Sequence, residues 1–262
     1  MPVTDQIKTF ARIGFDGFFT DWQSDYPFEE WVRTAKDTGM IYQSIHAPFG
    51  RAADMWGEDE SKGELALNEL LACLEDCKRW DVPIMVAHAF IGFEDHTPTD
   101  IGLERFGQLV KAAENSGVKI AFENTEGEEY LFALMDEFAD NPAVGFCWDS
   151  GHEMCYNRSQ DLLARFGDRL IMTHLNDNLG IRDYNGKITW IDDLHLLPFD
   201  GIADWDNNVE RLKKCGHEDM LTFELTRESK PNRHENDLYA KMEPIEYLTE
   251  AYKRACRIAA KF

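Results

Sequence analysis

The sequence predicts an α/β protein of the (β/α)8 barrel type, an architecture of alternating strands and helices. Seven short apolar runs alternate with amphipathic stretches of helical spacing along the 262 residues. Apolar runs of this kind are typical of parallel strands that are buried on both faces. Six of the runs lead into a His, Asp or Glu, and catalytic groups in barrels of parallel strands lie at the strand ends. The pattern therefore indicates a barrel with a chemical centre at one end.

The elements follow one another in a regular order. The strand candidates are residues 15–21, 40–46, 83–89, 119–124, 144–149, 170–175 and 220–226. The helix candidates are residues 4–12, 27–38, 62–80, 99–116, 127–138, 159–166, 205–215 and 242–260. The second of these begins with Pro27 and two acids and is followed by Gly39, which are typical helix start and stop signals. Strands that alternate with helices in this way predict βαβ units with right-handed crossovers.

A complete barrel needs eight strands, and the sequence offers seven candidates. The chain opens with a helix candidate at the place where a first strand is expected. We therefore expect a barrel that is incomplete or irregular at its N-terminal first strand. A doubly wound sheet is the alternative, but the first strand-to-helix turns lack the GxGxxG phosphate loop of that fold.

Composition narrows the class of protein. No linker, repeat or low-complexity tract divides the chain, so we expect one domain over residues 1–262. The sequence shows neither a leader pattern nor a membrane span, and its six cysteines form no CxxC pair. These features predict a reduced, cytoplasmic protein. Cys73 and Cys77 share one helical face and are expected in the core.

The formal net charge of −22 bears on the partners of the protein. Nucleic-acid binding depends on Lys and Arg that neutralise phosphates, so a chain this acidic is expected to bind no nucleic acid. A neutral small molecule, with a cation that neutralises the acidic pocket, is the expected ligand. The open edge of the barrel offers a contact surface for a homo-oligomer.

Four residues form the main candidate site. Glu123, Asp149, His174 and Glu224 each follow an apolar run, on four different strands. A salt-bridged or capping role would explain any one of them, but it does not explain all four at strand ends. Three carboxylates and an imidazole suit a divalent cation such as Mn²⁺, Mg²⁺, Co²⁺ or Zn²⁺.

Further histidines are candidate ligands on weaker grounds. His46 and His88 end neighbouring strands at matching positions, where strand alternation points each side chain inward. His152 follows Asp149 by three residues, an offset that can bring both side chains to one centre. A histidine at a helix start that bonds a carbonyl oxygen is the alternative explanation of His152.

The long connection 176–204 after the strand of His174 is also a candidate, because long loops in compact domains are usually functional. It contains Asp193 and His195, a ligand pair at extended spacing. The sequence gives no such setting to the remaining three histidines, which are predicted to lie on the surface: His96, His217 and His234.

The motifs HAPF, FENTEG, WDSGH, THLNDN, HLLPFDGIADW and FEL occur in this order between about residues 15 and 226. In these motifs the chain resembles the xylose isomerase-like TIM-barrel superfamily. That superfamily holds sugar isomerases and epimerases, inosose-pathway enzymes and endonuclease IV. The motifs are specific at the level of the superfamily and do not identify a member.

The resemblance implies two alternative sites. In the ketose 3-epimerase branch it implies one metal, held by Glu123, Asp149, His174 and Glu224. The two glutamates there double as acid/base groups, and the residue that matches His152 touches the substrate. In the endonuclease IV branch it implies a trinuclear zinc site, to which five more matching residues contribute: His46, His88, His152, Asp193 and His195.

We expect a metal-dependent isomerase or epimerase of a sugar, sugar phosphate or inosose. Glu123, Glu224 and His152 are its expected catalytic residues, and the metal is Mn, Zn, Co or Mg at one site, or at up to three. A zinc phosphoesterase of the endonuclease IV type is the first alternative, but it needs basic loops that the sequence lacks. A keto-sugar lyase or dehydratase on the same site, and a barrel that only binds, are the others. The only cations expected near the ligand face are Arg51, Arg182, Lys187 and Arg227.

Overall fold

The structure is a computed structural model, and it describes residues 1–94, 97–181 and 187–262. Six parallel strands pair in chain order and curl into a half-barrel with helices packed around them. The strands are β1 (Gly17–Asp21), β2 (Ile41–His46), β3 (Ile84–His88), β4 (Lys119–Glu123), β5 (Val144–Asp149) and β6 (Leu170–His174). This confirms the predicted α/β architecture and the first six strand predictions.

The helices connect successive strands, as the sequence predicts. They are α1 (Val3–Ile13), α2 (Phe28–Thr38), α3 (Glu60–Arg79), α4 (Asp100–Ser116), α5 (Glu128–Glu137), α6 (Ser150–Cys155), α7 (Leu162–Phe166), α8 (Trp205–Lys214) and α9 (Pro244–Ala259). Local chemistry sets their ends. Thr99 caps α4 by accepting a hydrogen bond from the backbone of Gly102, and Gly39 ends α2 in the left-handed conformation.

One short helix was not predicted, and it shapes the site. Helix α6 begins immediately after β5, and Asp149 is its N-cap. The Asp149 carboxylate accepts a hydrogen bond of 2.6 Å from the backbone N–H of His152. The turn of α6 therefore fixes Asp149 and His152 relative to each other.

The predicted strand at residues 220–226 is only partly formed, so that prediction was wrong in extent. Leu175, just after β6, donates to the oxygen of Thr222 and accepts from the N–H of Glu224. This makes a single parallel bridge between Leu175 and Phe223. Among the described residues, this one residue pair is the extent of the segment's ladder, and no strand pairs with its other side. It nevertheless brings Glu224 to the same end of the barrel as the six strands.

A cleft of about 570 Å³ lies between residues 221–225 and β1. Helices α1 and α9 contribute to its walls, which include Phe10, Phe19, Phe223 and Tyr252. Among the described residues, no strand closes the sheet between these two edges. This confirms a barrel that is irregular next to its first strand. We call this opening the seam.

The interior of the half-barrel is a layer of small and medium side chains. Val86, Ala121, Cys147 and Met172 come from β3 to β6, are fully buried and pack together. Each lies two residues before the last residue of its strand. Because side chains alternate along a strand, the four terminal residues lie on the same inner face, directly above this layer.

Outside the sheet, the larger apolar side chains pack between the strands and the helices. Cys73 and Cys77 of α3 are fully buried there, as predicted. Within the described part of the chain, no helix has the length and apolarity that crossing a bilayer requires.

Candidate metal centre

Six candidate residues come to one end of the sheet because each ends a strand or a strand-like segment. The last residues of β2 to β6 are His46, His88, Glu123, Asp149 and His174. Glu224 joins them from the segment beside β6. The carboxyl ends of parallel strands meet at one edge, so residues far apart in sequence become neighbours.

Glu123, Asp149, His174 and Glu224 form a compact group. Each offers a donor atom, and these atoms lie within 4.8 Å of one another. His174 Nδ1 lies 2.9 Å from Glu123 Oε1 and 3.0 Å from Glu224 Oε2. Glu123, Asp149 and His174 are fully buried, whereas the side chain of Glu224 is 27% exposed. The group therefore opens to solvent on the side of Glu224.

His46 and His88 extend the group on the other side of Glu123. His46 Nε2 lies 3.2 Å, and His88 Nε2 3.3 Å, from Glu123 Oε2. His46 Nδ1 faces the carbonyl oxygen of Ala47 at 2.9 Å, which fixes the ring. The three donor atoms of this trio also lie within 4.8 Å of one another.

His152, Asp193 and His195 form a third group. His195 Nε2 lies 2.8 Å, and His152 Nε2 3.5 Å, from Asp193 Oδ2. His152 Nδ1 lies 3.6 Å from Glu123 Oε1, so this group adjoins the first. We call these three residues the outer cluster.

The connection 176–204 carries Asp193 and His195 in a defined conformation. Its buried anchor is Asp177, whose carboxylate accepts hydrogen bonds from the backbone of Phe199 at 2.8 Å and of Ala203 at 3.0 Å. The backbones of Asp177 and Leu196 also pair across the connection. The far end of the loop is thereby tied to the end of β6.

Residues 7–250 match the family described as "Xylose isomerase-like TIM barrel". The chain belongs to the xylose isomerase-like TIM barrel family.

Two other proteins are similar to this chain in sequence. An uncharacterized protein y4fM of Sinorhizobium fredii is 37% identical over 102 residues, which are 38% of this chain and 30% of that protein. The chain thus matches about a third of the length of that relative. An inosose isomerase of Bacillus licheniformis is 28% identical over 211 residues, 74% of this chain and 73% of the relative.

Solved structures of other proteins share the fold of this chain. An IolI protein crystallised with a zinc atom superposes with a TM-score of 0.77 at 20% identity, over 100% of this chain and 94% of that one. A D-psicose 3-epimerase from Clostridium cellulolyticum H10, crystallised with D-tagatose, gives 0.73 at 16% identity over 99% and 93%.

The carboxylates of the centre have shifted pKa values. Burial raises the pKa of Glu123, but the neighbouring His174, His46 and His88 outweigh it and hold that pKa well below its ordinary range. Burial raises the pKa of Asp149 to about 6, although His152 and His195 oppose the shift. Below about pH 6 the desolvated Asp149 is therefore mostly protonated, whereas the imidazole-paired Glu123 stays ionised.

The pKa values of the histidines are shifted by the same neighbouring charges and by burial. Burial lowers the pKa of His174, but Cys147, Glu123 and Glu224 raise it well above its ordinary value. Burial also opposes the rise at His195, where Asp193 brings the pKa to about 9. Among the described histidines of the centre, desolvation prevails only at His88, whose pKa is lowered. In the metal-free protein the centre balances its carboxylates with protonated imidazoles.

The donor set fits a divalent cation. The carboxylates of Glu123, Asp149 and Glu224 and a ring nitrogen of His174 offer donor atoms within 4.8 Å of one another. Like charges this close repel one another, and a bound cation relieves the repulsion. Oxygen and imidazole donors together suit Mn²⁺, Co²⁺ and Zn²⁺, and the carboxylates also suit Mg²⁺.

Several residues of the site were missed by the sequence analysis. Asn176 donates to Asp149 Oδ2 at 2.9 Å, and Asn124 receives the backbone N–H of Asp149 at 2.8 Å. Lys230 Nζ lies 3.6 Å from Asp193 Oδ2. The asparagines lie inside the FENTEG and THLNDN motifs, which was the only signal that could have found them. Lys230 lies in a loop without any pattern.

The remaining sequence predictions have mixed outcomes. His217 was predicted on the surface, but it is buried at the end of α8, where its backbone bonds Leu212. His234 is exposed, as predicted. His96 and Arg182 lie outside the described residues.

Proposed function

We propose that this protein is a divalent-metal-dependent isomerase or epimerase of a sugar, sugar phosphate or inosose. The observation that carries the proposal is the pair Glu123 and Glu224. One oxygen of Glu123 lies 2.9 Å, and one oxygen of Glu224 lies 3.0 Å, from the same ring nitrogen of His174. Two carboxylates at one metal-type site suit a reaction that removes a proton and returns it.

Glu123, Asp149, His174 and Glu224 are the proposed ligands of one metal. When bound, the metal supplies the Lewis acid chemistry that makes a proton next to a carbonyl removable. Glu123 or Glu224 takes this proton, and the other glutamate returns one to the opposite face. His152 orients a substrate oxygen from the side of Asp193. His46, His88, His152, Asp193 and His195 are proposed as further ligands only if more than one metal binds.

The comparisons support this reaction class. The inosose isomerase matches 74% of this chain, and the D-psicose 3-epimerase was crystallised with a ketose. The zinc atom of the IolI structure supports a metal in this fold. Mn, Zn, Co and Mg remain the candidates for this chain. The substrate is proposed to be a small carbohydrate.

The test is exchange of the substrate proton with solvent. Candidate ketoses and inososes are incubated with the metal-loaded protein in D2O, and deuterium at the α-carbon is followed by NMR. Glu123→Gln and Glu224→Gln are expected to lower the rate by roughly 10²–10⁴-fold, because each removes an acid/base group. Glu29→Gln, at an exposed position of α2, is the control and should exchange the proton at the parent rate. Undiminished exchange in both site variants would refute the mechanism.

A zinc phosphoesterase is the second candidate. It is favoured by the presence of three adjoining groups of ligand-type residues, since such an enzyme would bind three zinc ions. Metal content per chain, measured by elemental mass spectrometry, separates the two. One Mn, Co or Zn favours the isomerase, and three tightly bound zincs favour the phosphoesterase. No metal, with none regained on soaking, would refute both. A lyase or dehydratase begins with the same proton removal and is distinguished by its product.

Four other expectations remain predictions. They are one domain over residues 1–262, a cytoplasmic location, the lack of a nucleic-acid partner and a homo-oligomer that uses the seam. Light scattering of the purified protein measures the oligomeric state directly.

A further inference from the structure

A lysine to which the sequence analysis assigned no role lies beside the outer cluster. Lys230 Nζ lies 3.6 Å from Asp193 Oδ2, the oxygen that both His195 and His152 face. Its side chain is only 22% exposed, and Nζ lies 5.4 Å from the centre of the Trp190 ring. The ammonium is therefore held over the cluster rather than extended into solvent.

The loop that carries Lys230 is fixed by buried contacts. Asn236 is 1% exposed and donates to the backbone oxygens of Thr226 and Glu228. Ser229 accepts from the N–H of Asn236 at 3.0 Å, and the N–H of Arg233 bonds the oxygen of Lys230 itself at 2.9 Å. The position of Lys230 over Asp193 follows from this folded loop.

An ammonium and a divalent metal compete for the same carboxylate. The donor atoms of the outer cluster lie within 4.8 Å of one another, close enough for a metal. A metal at this position would lie beside the fixed positive charge of Lys230, and the two charges would repel each other. We propose that Lys230 serves as a tethered cation that keeps the outer cluster free of metal. This inference rests on the proposed metal centre and concerns how many ions it holds.

The tethered cation leaves one oxygen of Asp193 available. Asp193 Oδ2 faces Lys230 and two histidines, whereas Oδ1 is buried and has no partner among the described residues. A carboxylate in this state accepts a hydrogen bond from a hydroxyl group. Lys230 thus converts a potential ligand cluster into a hydroxyl-binding position, which suits a polyhydroxy substrate.

The experiment counts zinc in a double-mutant cycle. The parent protein, Lys230→Met, His195→Ala and the double variant are stripped with chelator, loaded with excess Zn²⁺, desalted and analysed by elemental mass spectrometry. Lys230→Met is expected to gain about one zinc per chain, bound by the three residues of the outer cluster. His195→Ala should remove that gain in the Lys230→Met background and should leave the zinc content of the parent unchanged.

Two further variants test whether a gain of zinc in Lys230→Met has a cause other than the lost charge at residue 230. Lys230→Arg keeps the positive charge and should not gain zinc. Lys8→Met removes an exposed lysine that lies 3.9 Å from Asp5, and it should also leave the count unchanged. Circular dichroism and the melting temperature establish that each variant is folded.

Three results would overturn the inference, and they differ from one another. A Lys230→Met protein without extra zinc would mean that Lys230 does not control the cluster. A parent protein that loses one zinc on His195→Ala would mean that the cluster binds metal despite Lys230. A parent protein that binds no zinc at all would refute the proposed metal centre, and with it this inference.

Discussion

Glu123 is the residue that joins the three groups of the centre. Its Oε1 faces His174 at 2.9 Å and His152 at 3.6 Å, and its Oε2 faces His46 at 3.2 Å and His88 at 3.3 Å. One fully buried carboxylate therefore has four imidazoles around it. Without a metal, protons on His46, His152 and His174, whose pKa values are raised, supply the positive charge that the carboxylate requires.

Metal binding should therefore depend on pH. The pKa of Asp149 is raised to about 6, and the pKa of His174 lies well above its ordinary value. A metal must displace the protons that these ligands hold in the metal-free protein, so apparent affinity should increase as the pH is raised. Each proton displaced makes the affinity increase about tenfold per pH unit.

Competition with a chromophoric chelator between pH 5.5 and 8.5 measures this dependence, after correction for protonation of the chelator. Asp149→Asn should flatten the curve around pH 6, because the displaced proton on Asp149 is gone. An affinity that is constant over the range would contradict the charge balance described here.

Asn176 should set the affinity through Asp149. Asn176→Ala removes the donor to Asp149 Oδ2, and loss of a partner that orients a ligand typically weakens metal binding by about 10–100-fold. Equilibrium dialysis measures the change. The control is Asn115→Ala on α4, whose exposed side chain donates to the oxygen of Lys111, and it should bind metal like the parent. Equal affinity in both variants would mean that Asn176 has no orienting role.

At the scale of elements, two glycines of α4 make a matched comparison. A Cβ at Gly102 would overlap the ring of Trp56, which is buried and donates to the oxygen of Ala89. A Cβ at Gly107 would meet only Phe138, at an ordinary 3.9 Å. The same substitution should therefore have opposite effects at the two positions.

Gly102→Ala is expected to lower the free energy of unfolding by about 1–3 kcal/mol, because the added methyl group would overpack the core beside Trp56. Gly107→Ala should raise it by about 0.5–1 kcal/mol, because alanine favours the helix more than glycine does. Urea denaturation monitored by circular dichroism gives both values. A Gly102→Ala protein as stable as the parent would mean that the contact between α4 and Trp56 is looser than the structure indicates.

Elements with a repeating pattern were predictable from the sequence. The apolar runs of β2 to β6 end at the residues that the structure brings together, because strand length and alternation fix which residue terminates on the inner face. Helices α2 to α4 carry both a periodic apolar face and recognisable end signals. In these parts the local pattern and the tertiary fold agree.

Elements that depend on a neighbour were not predictable. Residues 220–226 have the composition of a strand. Whether they form a full ladder depends on neighbouring strands to pair with, and composition does not predict those neighbours. Helix α6 has six residues, too few for periodicity. The roles of Asn176 and Lys230 come from long-range contacts, and His217 is buried because the chain folds back after α8. Whether the nine candidate residues bind metal remains a prediction that the experiments above test.

At the scale of the whole molecule, the charge of −22 acts on stability. Like charges of this number repel one another in the compact state and favour unfolding. Salt shortens the range of this repulsion, from about 30 Å at 0.01 M to about 3 Å at 1 M. We expect the melting temperature of the metal-free protein to increase with salt, by roughly 2–4 °C for each kcal/mol of repulsion removed. Calorimetry with chelator present measures it, and choline chloride in place of NaCl separates screening from sodium binding. An unchanged or lower melting temperature would mean that the internal ion pairs, which salt weakens, outweigh the repulsion between the surface acids.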